Sequence, residues 1–139
     1  HVDASKGMTQ WAKENAAASG LADRPIRWIV DDCKKFVERE IRRGHKYDGI
    51  IMDPPSYGRG PTGQIWKIEN DIADFIQLTS QLLSDDPLFL LVNSYSTGLA
   101  PAVMGYILGT TIAPRFGGHI DCQELGMWIF PSRFCPKSR

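Results

Sequence analysis

The chain has 139 residues, with 16 basic and 16 acidic side chains, so its formal net charge at pH 7 is zero. This length allows one domain with a sizeable core, and 42% hydrophobic residues are ordinary for a globular protein. The balanced charge gives no whole-chain reason to expect a nucleic-acid partner, which would need a local patch or a region outside these residues. No apolar run reaches the roughly 20 residues of a membrane helix, so no membrane partner is predicted.

The cysteine pattern predicts reduced thiols rather than disulfides or a zinc site. Cys33, Cys122 and Cys135 are odd in number, widely spaced and form no metal-binding pattern with the histidines. We therefore expect a cytoplasmic protein without a bound metal. The chain begins at His1-Val2-Asp3 with neither an initiator Met nor a helix cap, from which we expect an N-terminally truncated domain.

The first predicted unit is a strand followed by a helix. Val2-Asp3 has the character of a strand end, and Ser5 can cap a helix that runs to about Ser19 and stops at Gly20. Helical spacing predicts that the buried face of this helix consists of Met8, Trp11, Ala12 and Ala16.

The second predicted unit repeats this order. A strand at Ile26 to Val30 ends in Asp31-Asp32, and a helix follows from Cys33 to about Arg43. The side chains expected to face inward are Phe36, Val37 and Ile41. Basic residues alternate with acids here, which favours a solvated helix face with pairs such as Glu38–Arg42. They are Lys34, Lys35, Arg39, Arg42, Arg43 and Lys46.

The central strand is predicted at Gly49 to Met52, which carry no charge and therefore suit a parallel strand buried on both faces. Asp53 follows, and Pro54-Pro55 prevents the strand from continuing. Ligands of open α/β sheets bind beyond the carboxyl ends of the strands, which makes Asp53 a candidate site residue. The structural alternative is an acid that only caps a turn.

A long loop is predicted from Ser56 to Glu69, and loops of this length are usually functional or mobile. Gly58 to Gly63 matches the pattern G-x-G-x-x-G, but it neither follows a strand directly nor opens a helix, so phosphate binding is not favoured. Trp66 could stack on a base or anchor the loop as a hydrophobic plug.

The last part of the chain predicts further helices and strands. A helix at Asn70 to Leu83 precedes a strand at Leu88 to Val92 that ends at Asn93-Ser94. The inward face of this helix is predicted to be Ile72, Phe75, Ile76, Thr79 and Leu83. A helix at Pro101 to Thr111 precedes two segments, His119–Leu125 and Met127–Phe134, that could form an antiparallel pair.

Strands that alternate with helices predict an α/β fold, a three-layer sandwich around a mostly parallel sheet. Parallel strands place their carboxyl ends along one edge of the sheet. The polar residues expected at that edge are Asp3, Asp31, Asp32, Asp53 and Asn93. An acid in the position of Asp3 suits the two hydroxyls of a ribose. Asp31-Asp32 could accept a hydrogen bond from an exocyclic amine such as that of adenine, and the backbone N–H of Cys33 could face a ring nitrogen.

Three motifs together resemble the class I S-adenosylmethionine-dependent methyltransferases. They are Val-Asp-Ala-Ser from Val2, Val-Asp-Asp from Val30, and Tyr-Asp-Gly-Ile-Ile-Met-Asp-Pro-Pro-Ser-Tyr from Tyr47. More narrowly, the chain is similar to bacterial proteins related to the large-subunit ribosomal RNA methyltransferases that modify cytosine C5 or guanine N7. The resemblance implies a Rossmann-like fold, S-adenosylmethionine as cofactor and an RNA substrate.

The resemblance also implies roles for individual residues. Asp3, with Ala4 beside it, would bind the cofactor ribose, and Asp32, with its neighbours Asp31 and Cys33, would bind adenine. Asp53, Pro54 and Pro55 would line the site of methyl transfer, with Tyr57 near the target base and with Asn93 and Ser94 at its border. Each role is assigned to the residue of this chain that stands at the matching position of the family's motif.

The chain departs from the family pattern in two places. The first strand and its glycine-rich loop are absent, and that strand normally lies between the strands that end at Asp3 and Asp53. In amino-group methyltransferases an aromatic residue follows Pro-Pro directly, whereas here Ser56 precedes Tyr57. We therefore expect residues 1–139 to be the C-terminal portion of a catalytic domain and to be inactive alone.

The predicted function is S-adenosylmethionine-dependent methylation of RNA, with ribosomal RNA as the expected class and a base nitrogen as the target. Cytosine-C5 transfer needs a thiolate within reach of the base, and neither Asp53-Pro54-Pro55-Ser56 nor Asn93-Ser94-Tyr95-Ser96 contains one. Two alternatives remain. One is a non-catalytic nucleotide-binding or scaffold domain of the same fold, and the other is a nicotinamide-dependent oxidoreductase, which the Pro-Pro motif disfavours.

Overall fold

The computed structural model of the protein describes residues 1–60, 63–96 and 98–124. Strands and helices alternate along them as the sequence predicts, which confirms the α/β class. In chain order the elements are β1 (Val2–Asp3), α1 (Lys6–Ala18), β2 (Ile29–Val30), α2 (Cys33–Arg42), β3 (Gly49–Met52), β4 (Tyr57–Arg59), β5 (Ile65–Lys67), α3 (Ile68–Ser80), β6 (Phe89–Val92), α4 (Pro101–Thr111) and α5 (Ala113–Phe116).

The strands form two parallel pairs and one antiparallel hairpin. β1 pairs with β2, and β3 pairs with β6 over four residues, from Gly49 opposite Phe89 to Met52 opposite Val92. β4 and β5 form the hairpin. Of the predicted final strand pair, Met127–Phe134 lies outside the described residues, and residues 119–124 hold no strand.

The core lies on one face of the β3–β6 pair, where α3 and α4 pack. The buried side chains of α3 recur every fourth residue, at Ile68, Ile72 and Ile76, so they share one helix face. They contact Met52 of β3 and Met104 of α4. The predicted inward face of α3 is therefore confirmed, and it is the side chains of this helix that close the core over the strand pair.

The opposite face of the β3–β6 pair carries exposed apolar side chains. Ile51 is 69% exposed, and Phe89 and Leu91 are also exposed because strand side chains alternate between the two faces. The prediction that β3 is buried on both faces is therefore wrong for the described residues. The predicted buried face of α1 is also wrong in part, since Met8 and Trp11 are exposed and Thr9 is buried.

The two ends of α1 follow the predicted capping, and α2 begins at the predicted residue, Cys33. The Ser5 Oγ accepts a hydrogen bond from the Met8 N–H at 3.3 Å, and Gly20 has the positive φ of 73° that ends the helix. Asp32 caps α2 in the same way, with Oδ1 accepting from the Lys35 N–H at 2.9 Å. Both helices therefore begin where the sequence places a short polar side chain.

The predicted solvated face of α2 is confirmed for most of its basic residues, since Lys34, Lys35 and Arg42 are exposed. The Arg39 guanidinium forms an ion pair with Asp31, and Lys46 Nζ donates to the Gln81 carbonyl at 2.6 Å. The predicted pair of Glu38 with Arg42 is not among the ion pairs of the described residues. Arg39 is half-buried and ties α2 to the end of β2, whereas Lys46, which lies beyond α2, ties the segment before β3 to the end of α3.

Glu40 of α2 is buried, which the sequence did not predict. Its side chain is 1% exposed and accepts hydrogen bonds from Tyr47 Oη at 2.6 Å, His45 Nδ1 at 2.7 Å and Arg43 Nη1 at 3.0 Å. These four residues are referred to below as the Glu40 cluster. Hydrogen bonds from Tyr47 and then His45 lower the pKa of Glu40 to about 2. Burial, followed by the bond to Glu40, raises the pKa of Tyr47 to about 12.

Replacing Tyr47 with Phe should lower the free energy of unfolding by about 1–3 kcal/mol near neutral pH, because a buried carboxylate loses a donor. Denaturation of the 139-residue chain by urea measures this change. Tyr106→Phe is the matched control, since Tyr106 is exposed on α4 and its hydroxyl has no hydrogen bond in the described part of the chain. An equal effect of both substitutions would contradict a special role for Tyr47.

The same pair of variants gives a pH test. The folded-state pKa of Glu40 is lowered, so its stabilising contribution is complete above the ordinary value of 4.5 and is lost as pH falls towards about 2. Tyr47→Phe removes the main cause of the lowering. Its unfolding free energy should therefore vary less over this acidic range than that of the wild type or of Tyr106→Phe.

The 139-residue chain should associate as its concentration rises. Within the described residues β1 pairs only with β2 and β3 only with β6, so each pair leaves unpaired backbone groups beside an apolar face. Ile51→Thr should weaken this association, whereas Leu21→Thr, in the turn after α1, should not. Sedimentation velocity over a range of concentrations measures it, and a monomer at every concentration would contradict it.

Candidate functional site

The ends of β1 and β2 bring four predicted site residues together. The Asp31 N–H donates to the Asp3 carbonyl at 3.0 Å, so the two strand ends lie side by side. The Cys33 thiol lies 3.7 Å from the Val2 carbonyl. Burial raises the pKa of the Cys33 thiol, and the negative charges of Asp3, Asp32 and Asp31 raise it further. We refer to Asp3, Asp31, Asp32 and Cys33 as the acidic cluster.

The carboxylates of the acidic cluster have different partners. Asp31 is held by Arg39 through both charge and a hydrogen bond, and this partner holds the pKa of Asp31 below its usual value. Asp31 Oδ1 also accepts from the Asp32 N–H at 2.9 Å. Asp32 uses Oδ1 to cap α2, while its Oδ2 has no hydrogen bond among the described residues. Asp32 is therefore better placed than Asp31 to accept a hydrogen bond from a ligand.

Asp3 is fixed by the start of α1. Its Oδ1 accepts a hydrogen bond from the Ser5 N–H at 2.6 Å, while Ala4 between them is exposed. This contact sets the orientation of the carboxylate and leaves its second oxygen without a partner in the described residues. The arrangement fits a side chain that presents one oxygen to a neighbouring hydroxyl group.

The ends of β3 and β6 form a second group. The parallel register places Asp53 beside Asn93, whose Nδ2 donates to Asp53 Oδ1 at 3.3 Å. The Asn93 N–H extends the strand ladder to the Met52 carbonyl at 2.9 Å. Asp53 and Pro55 are exposed and Pro54 is half-buried. Asp53, Pro54, Pro55 and Asn93 are referred to below as the Asp53 edge.

The segment after Pro55 is a hairpin and not the predicted long loop. β4 and β5 pair through three residues each, and α3 begins at Ile68, directly after β5. Gly58 and Gly60 lie in this hairpin rather than before a helix, so the phosphate-binding fingerprint is absent here, as expected. Pro61-Thr62 of the pattern lies outside the described residues.

Trp66 acts as the plug that was one of its two predicted roles. Its Nε1 donates to the Pro55 carbonyl at 2.7 Å, and its ring meets Phe75 edge to face with 5.7 Å between centroids. A tryptophan fixed at both its polar and apolar ends is not free to stack on a base. It attaches the hairpin to the Asp53 edge and to α3.

Glu69 was missed by the sequence reasoning, although an acid in the first turn of a helix is a recognisable signal. Its Oε1 accepts from the Ser96 hydroxyl at 2.7 Å, and this bond is the main cause that lowers the pKa of Glu69. The Ser96 N–H in turn bonds Ser94 Oγ at 3.3 Å. Glu69 therefore ties the segment after Asn93 to the start of α3.

Tyr57 and Ser94 complete the predicted site. Tyr57 is 50% exposed at the start of β4, and its hydroxyl accepts a hydrogen bond from Arg59 Nε at 2.9 Å. Ser94 directly follows Asn93 and is half-buried. The roles assigned to these residues stay predictions, because their positions fit a site but do not define a reaction.

In residues 1–60, 63–96 and 98–124, no three His, Cys, Asp or Glu side chains are arranged so that they could hold a metal ion. None of the helices in these ranges has both the length and the hydropathy of a membrane span. Cys122 packs against Gly105 of α4 and the core, while Cys135 lies outside these ranges.

Comparison with known proteins gives a consistent set of relatives. Ribosomal RNA large subunit methyltransferase K/L of Shewanella frigidimarina is 28% identical over 94 residues, which are 67% of this chain and 13% of that protein. Ribosomal RNA large subunit methyltransferase K of Neisseria meningitidis serogroup B is 27% identical over 94 residues, 67% of this chain and 27% of the relative. The chain thus spans less than a third of the length of these relatives. No protein-family model matches it.

Two solved structures are similar to the chain in fold. A SAM-dependent methyltransferase from Agrobacterium tumefaciens has a TM-score of 0.74 and 40% identity, over 81% of this chain and 36% of that one. The protein SMU.776, solved in complex with SAH, has a TM-score of 0.67 and 21% identity, over 86% of this chain and 30% of that one. In sequence the chain is similar to large-subunit ribosomal RNA methyltransferases, and it has the Rossmann-like fold of the S-adenosylmethionine-dependent methyltransferases.

Proposed function

We propose that the protein is an S-adenosylmethionine-dependent methyltransferase that modifies RNA, with ribosomal RNA as the substrate class and a base nitrogen as the target. The observation that carries this proposal is the placement of two polar groups at the carboxyl ends of two parallel strand pairs. One is the acidic cluster, and the other is the Asp53 edge. Open α/β sheets bind their ligands at such ends.

The acidic cluster fits the adenosine part of the cofactor. Asp3 would use its free oxygen for the ribose hydroxyls, with Ala4 beside it, because Oδ1 is already bound to Ser5. Asp32 would accept from the adenine amine through Oδ2, and the Cys33 N–H would face the ring. Asp31 would support this arrangement through Arg39 rather than by direct contact. Half-buried carboxylates with one oxygen fixed are suited to neutral hydroxyl and amine donors.

The Asp53 edge fits the other partner of the reaction. When bound, S-adenosylmethionine would supply a methyl group that leaves the sulfonium sulfur as the base nitrogen attacks, with S-adenosylhomocysteine as the leaving group. The proton that the nitrogen loses would pass to the Asp53 carboxylate. Asp53 and Asn93 offer a carboxylate oxygen and an amide within 3.3 Å of each other, which can hold the amino or ring N–H of a base. Tyr57 would contact the plane of that base. Most of the rate would come from holding the nitrogen lone pair in line with the methyl group.

A nitrogen target is favoured over cytosine C5 by the placement of the thiols. Carbon 5 becomes nucleophilic only after a thiolate adds to carbon 6, so a cysteine must lie beside the base. Among the described residues, Cys33 belongs to the acidic cluster and Cys122 packs against α4. The strand ends at Asp53 and Asn93 contain no cysteine.

Asp3→Ala in the native protein should weaken S-adenosylmethionine binding about tenfold or more, because hydrogen bonds to a charged acceptor contribute roughly 1.5–3 kcal/mol. Isothermal titration calorimetry measures the affinity. Asp74→Ala is the matched control, since Asp74 is exposed on α3 and should leave the affinity unchanged. Equal affinity of wild type and Asp3→Ala would remove Asp3 from the site.

Reaction of the native protein with ribosomal RNA should give an N-methylated nucleoside, identified by mass spectrometry of the digested RNA. Asp53→Ala should abolish the product while S-adenosylmethionine still binds, because this side chain is proposed to hold the base and not the cofactor. Recovery of 5-methylcytidine that disappears in Cys122→Ala or Cys135→Ala would refute the nitrogen target. Cofactor binding without any methylated product would instead favour a non-catalytic domain of this fold.

A further inference from the structure

The strand register divides the hairpin side chains into two sets. Tyr57 lies opposite Lys67 and Arg59 opposite Ile65, and directly opposed residues project from the same face. The outer face of the hairpin therefore consists of Tyr57, Arg59, Ile65 and Lys67. Gly58 and Trp66 occupy the inner face.

The inner face is fixed to the Asp53 edge. Trp66 bonds the Pro55 carbonyl at 2.7 Å, and the Ile68 N–H donates to the Ser56 carbonyl at 3.1 Å on the other side of the hairpin base. Phe75 supports the Trp66 ring from α3. The outer face thus has a fixed position next to the residues proposed to hold the target base.

The outer face is exposed and carries two cations without an anion. The Arg59 Nε donates to Tyr57 Oη at 2.9 Å, which holds the guanidinium beside the phenol and leaves its terminal amino groups exposed. Neither Arg59 nor Lys67 forms an ion pair with the described residues. Two acids follow Lys67 closely in the chain: Asp71 accepts the Lys67 backbone N–H at 2.7 Å, and Glu69 accepts from the Ser96 hydroxyl, a bond that lowers the pKa of Glu69 with help from the charge of Lys67.

We propose that this outer face binds the sugar–phosphate backbone of single-stranded RNA next to the target nucleotide. Arg59 and Lys67 would contact consecutive phosphates, for which a guanidinium fork and an ammonium point charge are both suited. Tyr57 would stack on the target base, and Ile65 would pack against the sugar of a neighbouring nucleotide. The inference rests on the proposed function and adds to it the part of the chain that holds the strand.

A single strand is favoured over a duplex by the position of the Asp53 edge. Asp53 and Asn93 can reach the polar edge of a base only if that base is unpaired, because pairing occupies the same atoms. An overall neutral chain also requires a local cationic surface for binding RNA, and this face supplies one within a few residues of the site.

The test is binding of a short fluorescein-labelled single-stranded oligoribonucleotide to the native protein, followed by fluorescence anisotropy at several salt concentrations. Arg59→Gln and Lys67→Gln should each weaken binding about three- to tenfold and reduce the slope of log affinity against log salt by about 0.7. Arg59→Lys should keep the slope, because it keeps the charge. Arg42→Gln and Lys13→Gln, exposed cations on α2 and α1, are matched controls that should bind like the wild type.

S-adenosylmethionine affinity, measured in parallel by calorimetry, should be the same in every variant, and circular dichroism should show the same fold. If the double variant Arg59→Gln/Lys67→Gln keeps the wild-type affinity and slope for RNA, the inference is overturned and the proposed function stands. A wild type that binds S-adenosylmethionine but no RNA also overturns it. Equal losses in the hairpin and control variants would show a diffuse electrostatic attraction and would likewise overturn it. Failure of the wild type to bind the cofactor contradicts the proposed function itself.

Discussion

The Glu40 carboxylate is the buried charge on which the arrangement of the two strand pairs depends. Glu40 belongs to α2, which follows the acidic cluster, while two of its three donors, His45 and Tyr47, lie on the segment that leads into β3. The Tyr47 N–H and carbonyl bond Leu82 and Ser84, next to α3. A buried carboxylate that loses its hydrogen-bond donors strongly destabilises the fold, because its charge is removed from water without compensation. Its position therefore couples the cofactor half of the proposed site to the reactive half.

The β3–β6 pair shows how a short strand can satisfy two different requirements. Its inward side chains pack on α3 and α4, and its register sets Asp53 beside Asn93. Its outward side chains, such as Ile51, are as apolar as the inward ones. Apolar residues on both faces are typical of parallel strands that are covered on both sides. Within the described residues, α3 and α4 cover one face of the strand pair. The apolar side chains of the other face stay exposed there, so burial of that face adds nothing to the stability of the described residues.

The sequence correctly predicted the bounds of elements next to residues, such as proline, that end a strand or begin a helix. β3 begins and ends as predicted because an uncharged run stops at Asp53 and Pro54, and α4 begins at Pro101 because proline suits the first turn of a helix. β2 is shorter than predicted, since only Ile29 and Val30 pair with β1.

Tertiary contacts explain what the sequence could not indicate. The hairpin strands have only three residues each, and the hairpin is anchored by Trp66 and Pro55, which are eleven positions apart. Glu40 is buried because donors beyond the end of its helix reach it, whereas residue type alone predicts exposure. For the site, the sequence predicted that the polar residues lie at strand ends along one edge of the sheet, but it did not predict which strands pair. It could not predict that Arg39 binds Asp31, because that pair depends on where β2 lies against α2.

Capping and ligand binding are compatible roles for the acids at the strand ends. A carboxylate has two oxygens, and Asp3 and Asp32 each use one of them to bind a backbone N–H at the start of a helix. That bond fixes the side-chain rotamer before any ligand arrives, so the second oxygen is held in place at no further entropic cost on binding. Asp53 differs, because its fixed partner is the Asn93 amide and not a helix N-terminus. The acids that bond a backbone N–H next to a helix start are therefore suited to a constant ligand such as a cofactor, and the acid that faces another side chain is suited to the group that reacts.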